Sequence, residues 1–207
     1  MSMENTIFFA DNDPQTSAVL CNAIARAGYT LERCLLENLS STIEERPQGI
    51  VVLNLGSDVA AGLEYQQQLN NSGRAWPIIF ITECDQVPVA VKAIKDGAID
   101  FHIKPVPPDD LLRSIREARL RLHNERDECL YRATIEQRCA CLSSREMEIM
   151  KYITNGVTNL EIARRLGLSQ RTIEVHRAHV MEKMQAASLA DLTRMVDLCR
   201  ICNSGYT

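Results

Sequence analysis

TNLEIARRLGLSQRTIEVHRAHVMEKM, residues 158–184, decides the architecture of the C-terminal third of the chain. Thr158 and Glu161 have capping-box spacing, a hydroxyl at a helix start with a Glu three residues on. Leu160, Ile162, Ala163 and Leu166 follow as the apolar side of a short helix. Gly167 permits a tight turn. Ser169 caps a second helix from Gln170 to about Gln185. Ile173, Val180 and Met184 line one side of that helix at helical spacing. Its opposite side carries Arg171, Glu174, Val175 and Ala178. A helix anchored by one stripe, with small and polar residues on the other, fits a DNA major groove. An ordinary helical hairpin is the alternative, but it demands neither these caps nor this order.

Three segments carry a family resemblance: Leu142-Ser-Ser-Arg-Glu146, Thr158-Asn-Leu-Glu-Ile-Ala163 and Arg171-Thr-Ile-Glu-Val-His176, the last followed by Lys183-Met184. Together they resemble the LuxR-type DNA-binding domain, most closely that of the FixJ branch of response regulators, over residues 140–200 without a gap. Facing and resemblance together direct Glu174, Val175 and Ala178 to base edges. Glu accepts from cytosine N4, and Val and Ala suit a thymine methyl. Arg171, Thr172, Arg177 and Lys183 fall at phosphates or the groove edge, and Asn159 adds a backbone-phosphate contact. His176 projects toward the flank of the buried stripe, as a packed or phosphate-facing side chain rather than a metal ligand.

Composition sets outer bounds. A chain of 207 residues suits two domains. No run of ~18 apolar residues exists, so no membrane span is expected. The start lacks a basic region before an apolar one, so no secretory signal is expected and the cytoplasm is the expected location. Eight cysteines in such a setting should be mostly reduced. Net charge is −4, yet residues 1–125 hold 11 Lys/Arg against 17 Asp/Glu, whereas residues 141–207 hold 9 against 7. The small basic excess therefore lies on the helix-turn-helix half. One copy should gain only modest affinity from phosphate contacts, and two copies on one site would help.

Residues 1–108 alternate apolar runs with amphipathic stretches. Thr6–Ala10, Ile50–Leu53 and Pro77–Thr82 read as buried strands, with weaker strands near Tyr29–Leu35 and Asp100–Ile103. Pro14–Ala27, Ser40–Glu45, Leu63–Asn70 and Val87–Asp96 read as helices. Such alternation predicts a doubly wound parallel sheet whose site lies at the carboxyl ends of the strands. Those ends hold Asp11, Asn12, Asp13, Asn54, Thr82 and Lys104.

This outline resembles a receiver domain, the phosphorylatable half of response regulators, over about residues 5–122. The resemblance makes Thr82 the switch hydroxyl, Phe101 the switch aromatic and Gly62 the glycine after the acceptor loop. Lys104-Pro105 matches a lysine and a following proline that is often cis in the family. The departures are as informative. Where the family has its phosphate-accepting Asp, this chain has Asn54, and an amide is no carboxylate nucleophile. Of an acidic pair after the first strand only Asp11 is matched, with Ala10 in the preceding slot. That loss removes most of the negative charge that holds a Mg²⁺. The acceptor loop reads Ser57-Asp58 instead of Met-Pro. Asp58 lies too far beyond the strand end to accept phosphate itself. Lys104 is then expected to pair with Asp11 or with the Asn54 carbonyl.

The expected organisation is a receiver-like domain at 1–122, a helical linker at 123–139 and a four-helix LuxR-type domain at 140–207. Residues 123–138 read as a solvated helix, because Glu125, Cys129, Arg132 and Glu136 interrupt the apolar stripe of Leu111, Ile115, Ala118 and Leu122. Resemblance places pairing surfaces at about Val87–Arg119 and at the last helix, about Leu189–Ile201. Cys139, Cys141, Cys199 and Cys202 make a poor zinc signature, and all eight cysteines read as structural. His102 replaces a residue usually apolar in the fifth strand.

The leading reading is a non-enzymatic, DNA-binding transcription regulator with a pseudo-receiver, working as a dimer without aspartyl phosphate. Its partners are double-stranded DNA, a second copy and RNA polymerase. No cofactor, metal, membrane or sensor kinase is required. Two other readings stay open. Asn54 is an engineered change in a phosphorylation-activated regulator, or a ligand or redox input acts at the receiver or the cysteines.

Overall fold

A computed structural model describes residues 5–11, 17–44, 46, 48–56, 58–71, 76–83, 85 and 87–198. It divides the chain into two compact units, residues 1–126 and 127–207. Five strands form one parallel sheet: β1 Thr6–Asp11, β2 Thr30–Cys34, β3 Ile50–Asn54, β4 Ile78–Thr82 and β5 Asp100–Ile103. Their order across the sheet is β2-β1-β3-β4-β5. The helices of this unit are α1 Ala18–Arg26, α2 Leu39–Glu44, α3 Val59–Asn71, α4 Val87–Lys95 and the first part of α5 Pro108–Ala140.

Strand alternation sorts the apolar residues into two layers. Phe8, Val51, Leu53 and Phe80 face α2, α3 and α4. Ile7, Phe9, Val52 and Ile79 face α1 and α5, against Leu20, Ile24, Leu111 and Ile115. Burying each such large side chain contributes about 2 kcal/mol. The central strands β1, β3 and β4 are nearly continuous apolar runs because both faces are covered. The edge strands β2 and β5 are only half-buried, which explains their weaker sequence signal.

Helix α3 starts at Val59, four residues before the expected Leu63. The Asp58 carboxylate accepts from Ala61 N at 3.2 Å and caps that start. Gly62 then packs against β3 and β4. A Cβ there would lie 2.2 Å from Leu55 Cδ1 and 3.0 Å from Phe80 Cε1, so any larger residue would displace the Leu55 side chain and crowd Phe80.

The second unit contains the end of α5, α6 Ser144–Thr154, α7 Asn159–Leu166, α8 Gln170–Met184 and α9 Leu189–Leu198. The solvated stretch expected at 123–138 needs a correction at its end. Ile135 and Cys139 are fully buried in the second core with Ile149, Ile153 and Ile173. Arg138 also donates to Met184 O at 3.1 Å and to Gln185 Oε1 at 2.7 Å, so the last turns of α5 hold the C-terminus of α8. In α9, Leu192 and Val196 are core residues whereas Leu189 is exposed. Cys199, Ile201 and Cys202 lie outside the described residues.

Candidate nucleic-acid interface and receiver pocket

The turn between α7 and α8 is built as its residues dictate. Thr158 Oγ1 accepts from Glu161 N at 3.3 Å and starts α7. The reciprocal half of the expected capping box is missing, because the Glu161 carboxylate pairs with Arg165 at 2.5 Å. Gly167 takes φ 64°, a left-handed conformation that ends α7 without Cβ strain. Ser169 Oγ accepts from Thr172 N at 3.0 Å and starts α8. Ile162 and Ala163 are buried, but Leu160 is 49% exposed. Two helical residues apart is ~200° around the axis, so Leu160 and Ile162 cannot share a face.

Helix α8 separates into two sides. Ile173, Val180 and Met184 are fully buried. Arg171, Glu174, Val175 and Ala178 are exposed, with Val175 at 43%. Arg171 Nη1 lies 3.9 Å from Glu174 Oε2. Arg177 Nη1 donates to Asn159 Oδ1 at 3.3 Å, which ties α8 to the start of α7. Thr172 Oγ1 sits 2.8 Å from Ser169 Oγ. His176 is half-buried, and its Nδ1 has no hydrogen-bond partner among the described residues.

Lys183 has a partner that the sequence does not reveal. Its Nζ donates to Glu146 Oε2 at 2.7 Å, and the Glu146 side chain is only 6% exposed. The lysine is thus a counter-ion for a buried carboxylate on α6, while its own side chain stays 39% exposed. Glu146 also accepts from Ser143 N at 2.8 Å and lies 3.8 Å from His179 Nδ1. The Lys183 hydrogen bond, then the Ser143 amide, push its pKa down to about 2. Glu146 stands in the quoted motif, but nothing in the linear spacing pairs it with a residue 37 positions away.

At the carboxyl edge of the sheet, Asp11 and Asn54 pair in register at the ends of β1 and β3. They are 4% and 3% exposed. Asn54 Oδ1 has no hydrogen-bond partner among the described residues. Thr82 Oγ1 donates to Gly56 O at 2.6 Å. Phe101 lies inward, its ring 5.9 Å from that of Phe80. The Lys104–Pro105 bond is cis. Lys104 Nζ stands 3.5 Å from Glu83 Oε1, so its ion pair goes to Glu83 and not to Asp11 or Asn54 as expected.

The expectation for Ala10 also fails. Strand alternation turns Ala10 into the apolar layer under α2 and α3, away from the face of Asp11, so that slot never belonged to the pocket. Asn12, Asp13 and Ser57 lie outside the described residues. A hard dication needs several oxygen ligands with balancing negative charge. At the described strand ends Asp11 offers one carboxylate and Asn54 an amide carbonyl.

His102 stands in a polar cluster at β5. Its Nε2 lies 2.8 Å from Ser114 Oγ, which donates to Asp100 Oδ2 at 2.6 Å. The thiols of Cys21 and Cys34 are pushed up by burial, which disfavours thiolate chemistry there. Cys21, Cys34, Cys129, Cys139 and Cys141 form no disulfide. No helix among the described residues is long and apolar enough to cross a membrane.

Comparison with known proteins adds a second line of evidence. Residues 7–116 match the family described as response regulator receiver domain. Residues 140–196 match bacterial regulatory proteins, luxR family. The chain is 34% identical to nodulation protein W of Bradyrhizobium diazoefficiens, over 94% of this chain and 86% of that one. It is 32% identical to the transcriptional regulatory protein FixJ of the same organism, over 94% and 96%. Among solved structures, response regulator StyR is similar with a TM-score of 0.75 at 31% identity, over 93% of this chain and 98% of that one.

Proposed function

Since the chain belongs to the response regulators that join a receiver domain to a luxR-family DNA-binding domain, and is therefore a transcription regulator rather than an enzyme, we propose that it reads promoter DNA as a dimer without aspartyl phosphorylation. The two sides of α8 carry the DNA reading. One is locked into the core by Ile173, Val180 and Met184, and the other offers Arg171, Glu174, Val175 and Ala178. Glu174, Val175 and Ala178 meet base edges, and Arg171, Thr172, Arg177 and Asn159 set the register on phosphates. Lys183, 39% exposed beside Glu146, also lies at the groove edge in this reading. RNA polymerase is the downstream partner, and the protein works in the cytoplasm.

Asn54 supports independence from phosphate, because an amide at the acceptor position offers no anionic oxygen to attack a phosphoryl donor. Incubation with acetyl phosphate and Mg²⁺, followed by intact-mass analysis, tests this. The expected mass is unchanged. A stoichiometric gain of one phosphoryl group restores the phosphorylation-activated reading.

Dimerisation draws support from α4. Val87, Val91 and Ile94 recur at positions i, i+4 and i+7 and are all exposed, as is Ile103 on β5. A Val91→Asp variant is expected to sediment as a monomer at concentrations where the unaltered chain is dimeric, and to bind a two-half-site promoter at least tenfold more weakly. A dimer that survives the change moves the pairing surface elsewhere.

A further inference from the structure

Helix α8 carries a second row of side chains beside the one that faces base edges. Thr172, His176, His179 and Lys183 recur at i, i+4, i+7 and i+11, the spacing of one helix face. His179 stands about 40° around the axis from Val175, at ~100° per residue, and its side chain is 53% exposed. Beneath this row lies the Glu146 carboxylate of α6, with one oxygen for each of two neighbouring turns. Oε2 accepts from Lys183 Nζ at 2.7 Å, and Oε1 lies 3.8 Å from His179 Nδ1. With its pKa held down to about 2, chiefly by the Lys183 hydrogen bond, Glu146 is an anion at neutral pH. The lysine already matches that single charge. A proton on His179 therefore adds a net positive charge to an exposed flank of the helix.

With Nδ1 toward Glu146, the opposite ring nitrogen, Nε2, turns to the outside, and in an imidazolium both nitrogens donate. On α8 itself, Glu182 three residues on is exposed and His176 three residues back is half-buried. The charged groups of the neighbouring helices are engaged elsewhere. Arg145 pairs with Glu148 on α6, Arg165 pairs with Glu161 on α7, and Arg138 at the end of α5 holds Met184 O.

We propose that His179 is a proton-dependent phosphate contact, charged when DNA is bound, so that the chain grips DNA more tightly as pH falls through the neutral range. The proposal rests on the DNA-reading orientation of α8 and deepens it. A phosphate beside the ring favours the imidazolium over the neutral form, so binding takes up a proton. Association that takes up a proton weakens as pH rises, by at most about tenfold per pH unit for one full proton. Contacts made by arginine and lysine carry no such dependence near neutral pH.

Fluorescence anisotropy of the full chain on a site selected from random DNA, at one salt concentration and between about pH 6 and 8, tests the assignment. The unaltered chain should bind about fivefold or more weakly at the upper end of that range than at the lower. His179→Gln should bind more weakly at the acid end and lose most of the pH dependence. His179→Arg carries a permanent charge and should bind tightly at both ends. His176→Gln, the control for the second histidine of the row, should keep the dependence of the unaltered chain. A pH dependence that survives in His179→Gln overturns the proposal, as does one that disappears with His176→Gln. Affinity of the unaltered chain that does not change with pH overturns it as well. Should His179→Gln fail to fold, His179→Arg decides by the same slope: tight, pH-independent binding upholds the role, and a retained dependence overturns it. Failure to bind any selected site at any pH fells the DNA-reading premise, whereas pH-independent binding leaves that premise standing and removes only the role of His179.

Discussion

Lys183→Met is expected to destabilise the second unit by about 2 kcal/mol. The variant strands the Glu146 carboxylate, 6% exposed, without its ammonium partner 2.7 Å away. Removing one member of a buried pair costs several kcal/mol, because a charge stays behind without compensation. The Lys183 side chain is itself 39% exposed, so water reaches this pair and screens it, which keeps the loss at the lower end. Urea unfolding of the full chain, followed by amide hydrogen exchange in α6 and α8, measures it. Unchanged stability would mean that Glu146 does not depend on the Lys183 ammonium, and a salt slope of DNA binding flattened by about one unit would show a phosphate contact by the same lysine.

The same pair sets an acid limit. Glu146 is held at about 2 against an ordinary 4.5, chiefly by Lys183 and next by the Ser143 amide. A folded-state pKa below the unfolded one adds stability at any pH above the unfolded value. That contribution fades as pH falls through 4.5 and is gone below about 2. A Glu146→Gln variant should therefore be clearly less stable than the unaltered chain at about pH 6, and the gap should narrow progressively between about pH 5 and 2. A gap independent of pH would mean that Glu146 acts through packing or capping alone.

The residues that the sequence revealed share a local cause. Strands β1, β3 and β4 are apolar runs, and the caps at Thr158 and Ser169 act on amides three residues away. Periodicity and capping are short-range signals, so they survive in linear text. Two kinds of expectation fail. Ala10 and Leu160 lie on faces other than those expected, and alternation and the ~100° helical step already place them there. Lys183 with Glu146, Lys104 with Glu83 and Arg33 with Ser17 pair across elements, and such partners follow only from tertiary packing. Ile135 and Cys139 show the same limit, for a lone Ile and Cys in a polar stretch become core only because α6 and α8 cover them.

Val175→Glu should abolish sequence-specific DNA binding while leaving the second unit folded. At 43% exposure on the face opposite Ile173, Val180 and Met184, the side chain can be enlarged without disturbing the core. In the proposed orientation its methyls meet a thymine methyl at the floor of the groove. Glutamate there loses that contact and brings a second carboxylate beside Glu174, between two rows of phosphates. A lost base contact is worth about 1–3 kcal/mol, and burying a new charge without a partner adds to it. The expected loss in affinity is on the order of 100-fold or more, read by footprinting or fluorescence anisotropy on a selected site. Gln137→Glu on α5 makes the same charge change at an exposed position of the same unit. A merely electrostatic loss would appear in both variants and vanish with salt. A loss due to the recognition face appears only in the Val175 variant, and unchanged footprinting there removes α8 from the groove.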